Sequence, residues 1–256
     1  MRSRAAGQSY AIPPGRRSPG YDARVVGSHD EGADRPLWER ASIELLGAAE
    51  EPAPDDGTAA TVRLDTSRGH VDCLLHRAAG GGETAVLWVA GAHGGFGGPA
   101  DGLYADLAEA LASRGTSSLR LAYRQPAHLD ESTLDVLAGI WYLAGIGLAR
   151  VALVGHSFGG GVVVSASRYS SHVRAVVALA SQTMGAEEVV LLAPRPLLLV
   201  HGEADDVLPV SNAQLIYAWA FEPKELVTYP GARHGLIECR DELRALLLEW
   251  LPRALG

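Results

Sequence analysis

Lysine is almost missing from this chain. It occurs once in 256 residues, at Lys224, so lysine-nucleophile or Schiff-base chemistry has a single candidate, set at the start of an apolar run away from every motif. Positive charge is short as a whole. The 22 lysines and arginines against 30 acidic residues leave a formal charge of −8, which argues against nucleic acid and against an anionic membrane as partners. Cysteine is equally scarce: Cys73 and Cys239 lie far apart and lack metal-ligand spacing, so no disulfide framework is expected and a reducing, cytoplasmic setting fits. No stretch approaches the ~20 apolar residues of a membrane span. The N-terminal arginines are not followed by the apolar core of a signal peptide.

What is present is a core-forming chain with 47% hydrophobic residues, enough for one large domain with an appendage. Residues 1–36 are rich in Arg, Ser, Gly and Pro and read as a flexible leader. A short helix is possible over 38–47, and Glu50 to Gly57 reads as a linker, so the expected division is a leader over 1–58 and one catalytic domain over 59–256. The leader is expected to be a solvated tail; the other reading is a flap over a neighbouring subunit in a possible homodimer.

From Thr61 the pattern changes. Residues 61–66 and 70–75 alternate as an antiparallel pair at a sheet edge, and near-continuous apolar runs follow at 85–90, 118–123, 151–154, 173–179, 197–200 and 226–229. Helical stripes separate them, as in Leu103, Leu107 and Leu111 before Gly115, and in Leu243, Leu246, Leu247, Trp250 and Leu251. Alternating strands and helices predict an α/β fold with a doubly wound, mostly parallel sheet flanked by helices, and functional groups at the strand C-terminal ends.

Three motifs fall at those ends. Gly155-His156-Ser157-Phe158-Gly159 follows Val151 to Val154 and has the form of a strand-to-helix elbow, with small residues two positions either side of a serine and the Phe158 N–H at a helix start. His201-Gly202-Glu203-Ala204-Asp205-Asp206-Val207-Leu208-Pro209 puts acids beyond a buried strand, and Pro230-Gly231-Ala232-Arg233-His234-Gly235 puts a histidine in a loop after the next. The order is serine, acid, histidine. With these residues the chain resembles the α/β-hydrolase superfamily, and more narrowly its lidless, dienelactone-hydrolase-like members, over roughly residues 60 to 254.

That resemblance implies a serine hydrolase acting on a carboxylic ester, thioester or lactone. Ser157 is the expected nucleophile, His234 the base and Asp205 the acid, because the family pattern of His-Gly, two variable residues, Asp, then a Val-Pro-like pair fits His201 to Pro209 in that register and not at Asp206. Phe158 is one expected oxyanion donor. The other lies in Val89-Ala90-Gly91-Ala92-His93-Gly94-Gly95-Phe96-Gly97-Gly98, at Ala92 or Gly95 according to register; the end of the apolar run at Ala90 favours Ala92. That glycine-rich segment has no Gly-Lys-Ser or Gly-Lys-Thr and so is not read as a phosphate loop.

His93, Phe96, Gln182 and Met184 are candidates to line a substrate pocket, though Met184 is also an ordinary packing filler. Arg124 could hold a substrate carboxylate or simply pair with an acid. His156 is expected to pack beside the elbow, and His201 to end its strand with a ring hydrogen bond. The interval 181–196 is too short for a cap domain, so an open site is expected. No cofactor motif or metal cluster is seen, and the expected partner is a small acyl substrate. A non-hydrolytic use of the same triad, such as acyl transfer or perhydrolysis, and a ligand-binding protein are the alternatives.

Overall fold

The computed structural model describes residues 9–10, 41–52 and 59–256. An antiparallel section comes first in the chain: β1 (Ser9–Tyr10), β2 (Leu45–Glu51), β3 (Ala60–Thr66) and β4 (Gly69–His76). The apolar runs then form β5 (Thr84–Val89), β6 (Ser117–Ala122), β7 (Arg150–His156), β8 (Val173–Leu179), β9 (Leu197–Gly202) and β10 (Lys224–Tyr229). Across the sheet the order is β1-β2-β3-β4-β6-β5-β7-β8-β9-β10. β4 meets β6 antiparallel, and from β6 to β10 every pairing is parallel.

Among the described residues five helices cover the two faces: α1 (Pro99–Ala112), α2 (Leu129–Gly145), α3 (Phe158–Ser167), α4 (Ser211–Trp219) and α5 (Arg240–Leu255). Each face has its own core. One gathers Leu87, Leu121, Ile140, Val163 and Ile216 beneath α2, α3 and α4; the other gathers Trp88, Leu103, Leu107, Leu111, Leu247 and Trp250 beneath α1 and α5. The two leucine-rich stripes read from the sequence are therefore the inward faces of α1 and α5. Strands covered on both sides need no alternation, which is why β5, β7 and β8 are almost wholly apolar. Between β8 and β9 there is only a short 3₁₀ turn, Glu187–Leu191, so among the described residues no cap domain stands over the strand ends.

Two expectations need correcting. The part of the expected 38–47 helix that lies within the described residues is not helical: Leu45–Glu51 is β2, paired with β3 through Ala48↔Leu64 and Glu50↔Val62, with an irregularity between Leu45 and Gly47. Ala, Leu and Glu favour helix locally, but an open sheet edge beside β3 and the apolar contacts of Ile43, Leu45 and Ala48 with the core outweigh that preference. Glu50, read as linker, accepts from Arg77 at 2.7 Å and from the Tyr142 hydroxyl at 3.2 Å. The sheet therefore starts before residue 59, and the β3–β4 pair is not its edge. Residues 1–8, 11–40 and 53–58, which hold most of the expected leader, lie outside the described residues.

Candidate active site

β7 runs through the middle of the parallel section and ends at His156, and α3 begins at Phe158, so the whole reversal is made on Ser157. Its backbone has φ 58 and ψ −117, a conformation that L residues rarely adopt. The neighbours make that possible. A Cβ on Gly155 would stand 2.0 Å from the Gly159 carbonyl oxygen, and one on Gly159 would stand 2.4 Å from the Ala90 oxygen. The turn is then held at its main chain: Ser157 N–H donates to Leu179 O at 2.8 Å, and Ser157 O accepts from Gly160 N–H at 3.0 Å and Gln182 N–H at 3.3 Å.

From the turn the side chain reaches His234. Ser157 Oγ lies 2.9 Å from His234 Nε2, and His234 Nδ1 lies 2.8 Å from Asp205 Oδ2. In the neutral imidazole that accepts from serine at Nε2, the hydrogen sits on Nδ1 and is donated to the carboxylate. Of the two adjacent acids, Asp205 is the one that meets the His234 ring: its side chain is fully buried, while Asp206 is 65% exposed and faces Arg233 at 3.8 Å.

Asp205 accepts on both oxygens. Oδ1 takes the N–H groups of Val207 at 2.9 Å and Leu208 at 2.8 Å; Oδ2 takes His234, with His201 Nε2 close by at 3.1 Å. Burial raises its pKa, but the hydrogen bonds from Leu208, His234 and Val207 together outweigh burial and hold the carboxyl below its ordinary value. His201 Nε2 bonds to Leu208 O, 3.0 Å away, while lying 3.1 Å from this carboxylate. The sequence reading anticipated a ring hydrogen bond at His201 but not its contact with the acid.

The segment after β5 turns over Ser157. A Cβ on Gly91 would lie 3.4 Å from Ser157 Cβ, and Gly94 N–H closes a turn onto Gly91 O at 3.0 Å, with Ala92 and His93 exposed at its tip and Phe96 half-buried beyond. Phe158, as first residue of α3, has an N–H with no intrahelical acceptor. Tyr123 packs edge-on against the Phe158 ring at 5.8 Å and donates its hydroxyl to Ala90 O at 3.3 Å. Gln182 bonds back through its main chain to Ser157 and through its side chain to Met184 O, leaving the Met184 side chain 54% exposed.

Arg124 is not brought to the site as a free cation. Its guanidinium is bound by Asp135 of α2, by Glu131 at 3.0 Å and by Arg68 O at 2.9 Å, and its main-chain N–H also donates to Asp135 at 2.9 Å. A side chain only 7% exposed needs such partners, so the pairing alternative holds and the carboxylate-fork role is withdrawn. It walls a cleft of about 430 Å³ together with Arg68, His70, Asp72 and Gln125.

His156 does more than pack. Its Nε2 lies 2.9 Å from the main-chain oxygen of His234, and the two rings stand 5.0 Å apart. Burial lowers His156 to about 4, so the ring is neutral at physiological pH. The next carbonyl, that of Gly235, accepts from Ala100 N–H at 2.7 Å. Among the described residues no group of His, Cys, Asp and Glu is arranged to hold a metal, and no helix is long and apolar enough to cross a membrane.

The mostly parallel sheet, the elbow and the absence of a cap define a lidless α/β-hydrolase fold. Solved structures share it. The esterase domain of a Rhodothermus marinus protein is 19% identical with a TM-score of 0.65, covering 77% of this chain and 99% of that one. Est1E from Butyrivibrio proteoclasticus is 17% identical at 0.65, covering 76% and 98%. XC6422 from Xanthomonas campestris, a serine hydrolase without a lid, is 20% identical at 0.59, covering 79% and 99%. The model of the dienelactone hydrolase family matches residues 117–245, half of the chain, and the chain belongs to that family of hydrolases. In sequence it is also 40% identical over 50 residues to YfhR of Escherichia coli K12, described as uncharacterized; that match spans 20% of this chain and 18% of YfhR.

Three buried groups give the fold a pH dependence of definite sign. Burial, with Arg120 nearby, lowers His76 to about 4 from 6.5, and burial lowers His156 equally. Both bind protons more readily unfolded, so their contribution to stability is lost as pH falls from 6.5 towards 4. Asp135 opposes them: burial outweighs its bonds to Arg124 and raises it to about 6 from 3.8, so it favours the folded state as pH falls through 6. From these three groups unfolding near pH 5 should take up about one net proton, a slope of roughly 1.4 kcal/mol per pH unit, and Asp205 and Glu131, held below their ordinary values, add to it with the same sign. Urea unfolding between pH 6 and 4 measures this; stability that stays constant or rises towards pH 4 would contradict it.

Proposed function

We propose that the protein is a serine hydrolase that cleaves a carboxylic ester, thioester or lactone through an acyl-enzyme on Ser157. The observation that carries this reading is the unbroken pair of hydrogen bonds from Ser157 Oγ to His234 at 2.9 Å and from His234 to the buried Asp205 at 2.8 Å. His234 removes the serine proton as Oγ attacks the carbonyl, then returns it to the departing alcohol or thiol; Asp205 fixes the imidazole tautomer and supports its charged form. The N–H groups of Phe158 and Ala92 receive the oxyanion. Closeness of Gly91 to Ser157 favours Ala92 over Gly95 as the second donor. Water entering the uncapped site resolves the acyl-enzyme.

The surroundings favour a neutral, apolar substrate of modest size. Met184 in the loop after β8, Val207 two residues past Asp205 and Ile237 three past His234 are 54%, 64% and 53% exposed, while Arg124 is committed to Asp135 and Glu131. An acidic lactone would find no free fork in Arg124.

Ser157→Ala should fold normally, lose labelling by a fluorophosphonate probe, and lose roughly 10³ to 10⁶ in kcat on nitrophenyl esters. Undiminished turnover would remove the assignment. Asp205→Asn should lower kcat by up to about 10⁴ because the imidazole loses its orienting acceptor. Asp206→Asn, at an exposed side chain, should change it little; the reverse ranking would move the acid by one residue. With no cap to enclose a long chain, a series of nitrophenyl esters and acyl-CoA thioesters should favour short acyl groups. An optimum at long chains would contradict the open-site argument.

A further inference from the structure

We propose that His156 is a positioning residue that fixes His234 by donating its Nε2 hydrogen to the His234 main-chain carbonyl. The inference rests on the reading of His234 as the general base, and it assigns to the second residue of the elbow a task separate from forming the turn.

The geometry leaves one hydrogen-bond polarity. A carbonyl oxygen only accepts, so at 2.9 Å the His156 Nε2 must carry the hydrogen and Nδ1 must be bare. Nδ1 then faces the segment after β5, 3.7 Å from where a Gly91 Cβ would stand. The ring is thus wedged between the elbow that carries Ser157, the turn that offers the proposed oxyanion donor, and the loop that carries His234.

The loop needs such a brace. His234 follows β10 in a turn held by Ala232 N–H to Tyr229 O at 3.3 Å, Ala204 N–H to Ala232 O at 3.0 Å, Leu236 N–H to Arg233 O at 2.9 Å and Arg233 N–H to the Glu238 carboxylate at 3.1 Å, none of which engages the His234 carbonyl itself. Its neighbouring carbonyl, at Gly235, is held from the other side by Ala100, a residue at φ 50 and ψ 55 whose own oxygen accepts from Arg240. Without His156 the His234 carbonyl would lose this bond, and the 233–236 turn and the Ala100 contact at Gly235 would be left to set the orientation of that peptide. Because His156 and Ser157 are consecutive, one strand end sets both the nucleophile and the main chain of its base, and the 2.9 Å gap between Oγ and Nε2 does not depend on the loop alone. A neutral brace also avoids opposing the imidazolium that forms at His234 during attack.

The test compares His156→Leu, which fills similar space without a donor, with His156→Gln, whose amide can donate to the same carbonyl. Leu should lower kcat about 10- to 100-fold with KM nearly constant, since a misplacement of an ångström is enough for a loss of that size, and Gln should recover most of it. Proton NMR of the full chain supplies a readout independent of turnover: the Nδ1 hydrogen of His234 bonded to Asp205 should exchange with solvent faster in the Leu variant and near the wild-type rate in Gln. If Leu does not fold, His156→Asn, too short to reach the carbonyl, takes its place. Wild-type kcat and exchange in the donor-free variant would overturn the proposal, as would a folded Gln variant as impaired as Leu. If the wild-type protein turned over no ester, the proposed function would fall, while the exchange comparison would still decide whether His156 holds His234.

Discussion

The close approach of α3 to the end of β7 is the constraint on which the site depends. Only hydrogen fits on the Cα atoms of Gly155 and Gly159, and the chain between them must reverse on one residue. Holding Ser157 at positive φ costs on the order of 1–3 kcal/mol, and the sheet around it offsets that cost. β7 lies between β5 and β8 with its central residues fully buried, and the turn residue is bonded at N–H and at C=O. Relaxing the turn would break those bonds or pull a central strand out of register, so strain persists where its release is the costlier option.

A second constraint is electrostatic. A buried carboxylate is tolerated only when its acceptors are filled, and Asp205 has two main-chain N–H donors on one oxygen and the His234 imidazole on the other. The two N–H groups come from the loop that follows β9, so the charge folds its own loop. His201, at the strand end, ties the same loop through Leu208 O. The proposed acid is thereby fixed in direction as well as charge, which matters because a carboxylate orients an imidazole only if its free lone pair points along the Nδ1–H bond.

Much of this was legible from the residues. The buried strands announced themselves as apolar runs, α1 and α5 as leucine stripes, and the serine, acid and histidine as motifs at strand ends. β2 was not legible, because Leu45 to Glu51 is built of helix-favouring residues and becomes a strand only by pairing with β3. Arg124 was ambiguous for a different reason: whether a cation is free depends on Asp135 and Glu131, which lie a strand end and a helix turn away in space. The His156 contact joins residues 78 apart in sequence, and no local pattern encodes it; a histidine inside the elbow motif was the only pointer. Local signals report what a segment is, and tertiary contacts report what its side chains are committed to.

Among the described residues no cap covers the strand ends, and that fits with so many of those commitments being to main-chain atoms. A capped hydrolase can complete its site when the lid closes and water leaves; an open one must have its reacting groups in place beforehand, in the presence of solvent. Side-chain contacts at a wet surface are weak and mobile, whereas carbonyls braced by buried donors are not. Here the fixed points are Ser157 N–H and C=O, Ala90 O, His234 O and Gly235 O, each tied to a different element, and together they join the elbow, the turn after β5 and the histidine loop. On this view the left-handed run at Ala100, Asp101 and Gly102 has a purpose beyond entering α1. It aims the Ala100 N–H across at Gly235, where a regular helix start would have directed it along α1, and so lends the histidine loop the rigidity that a lid would otherwise impose.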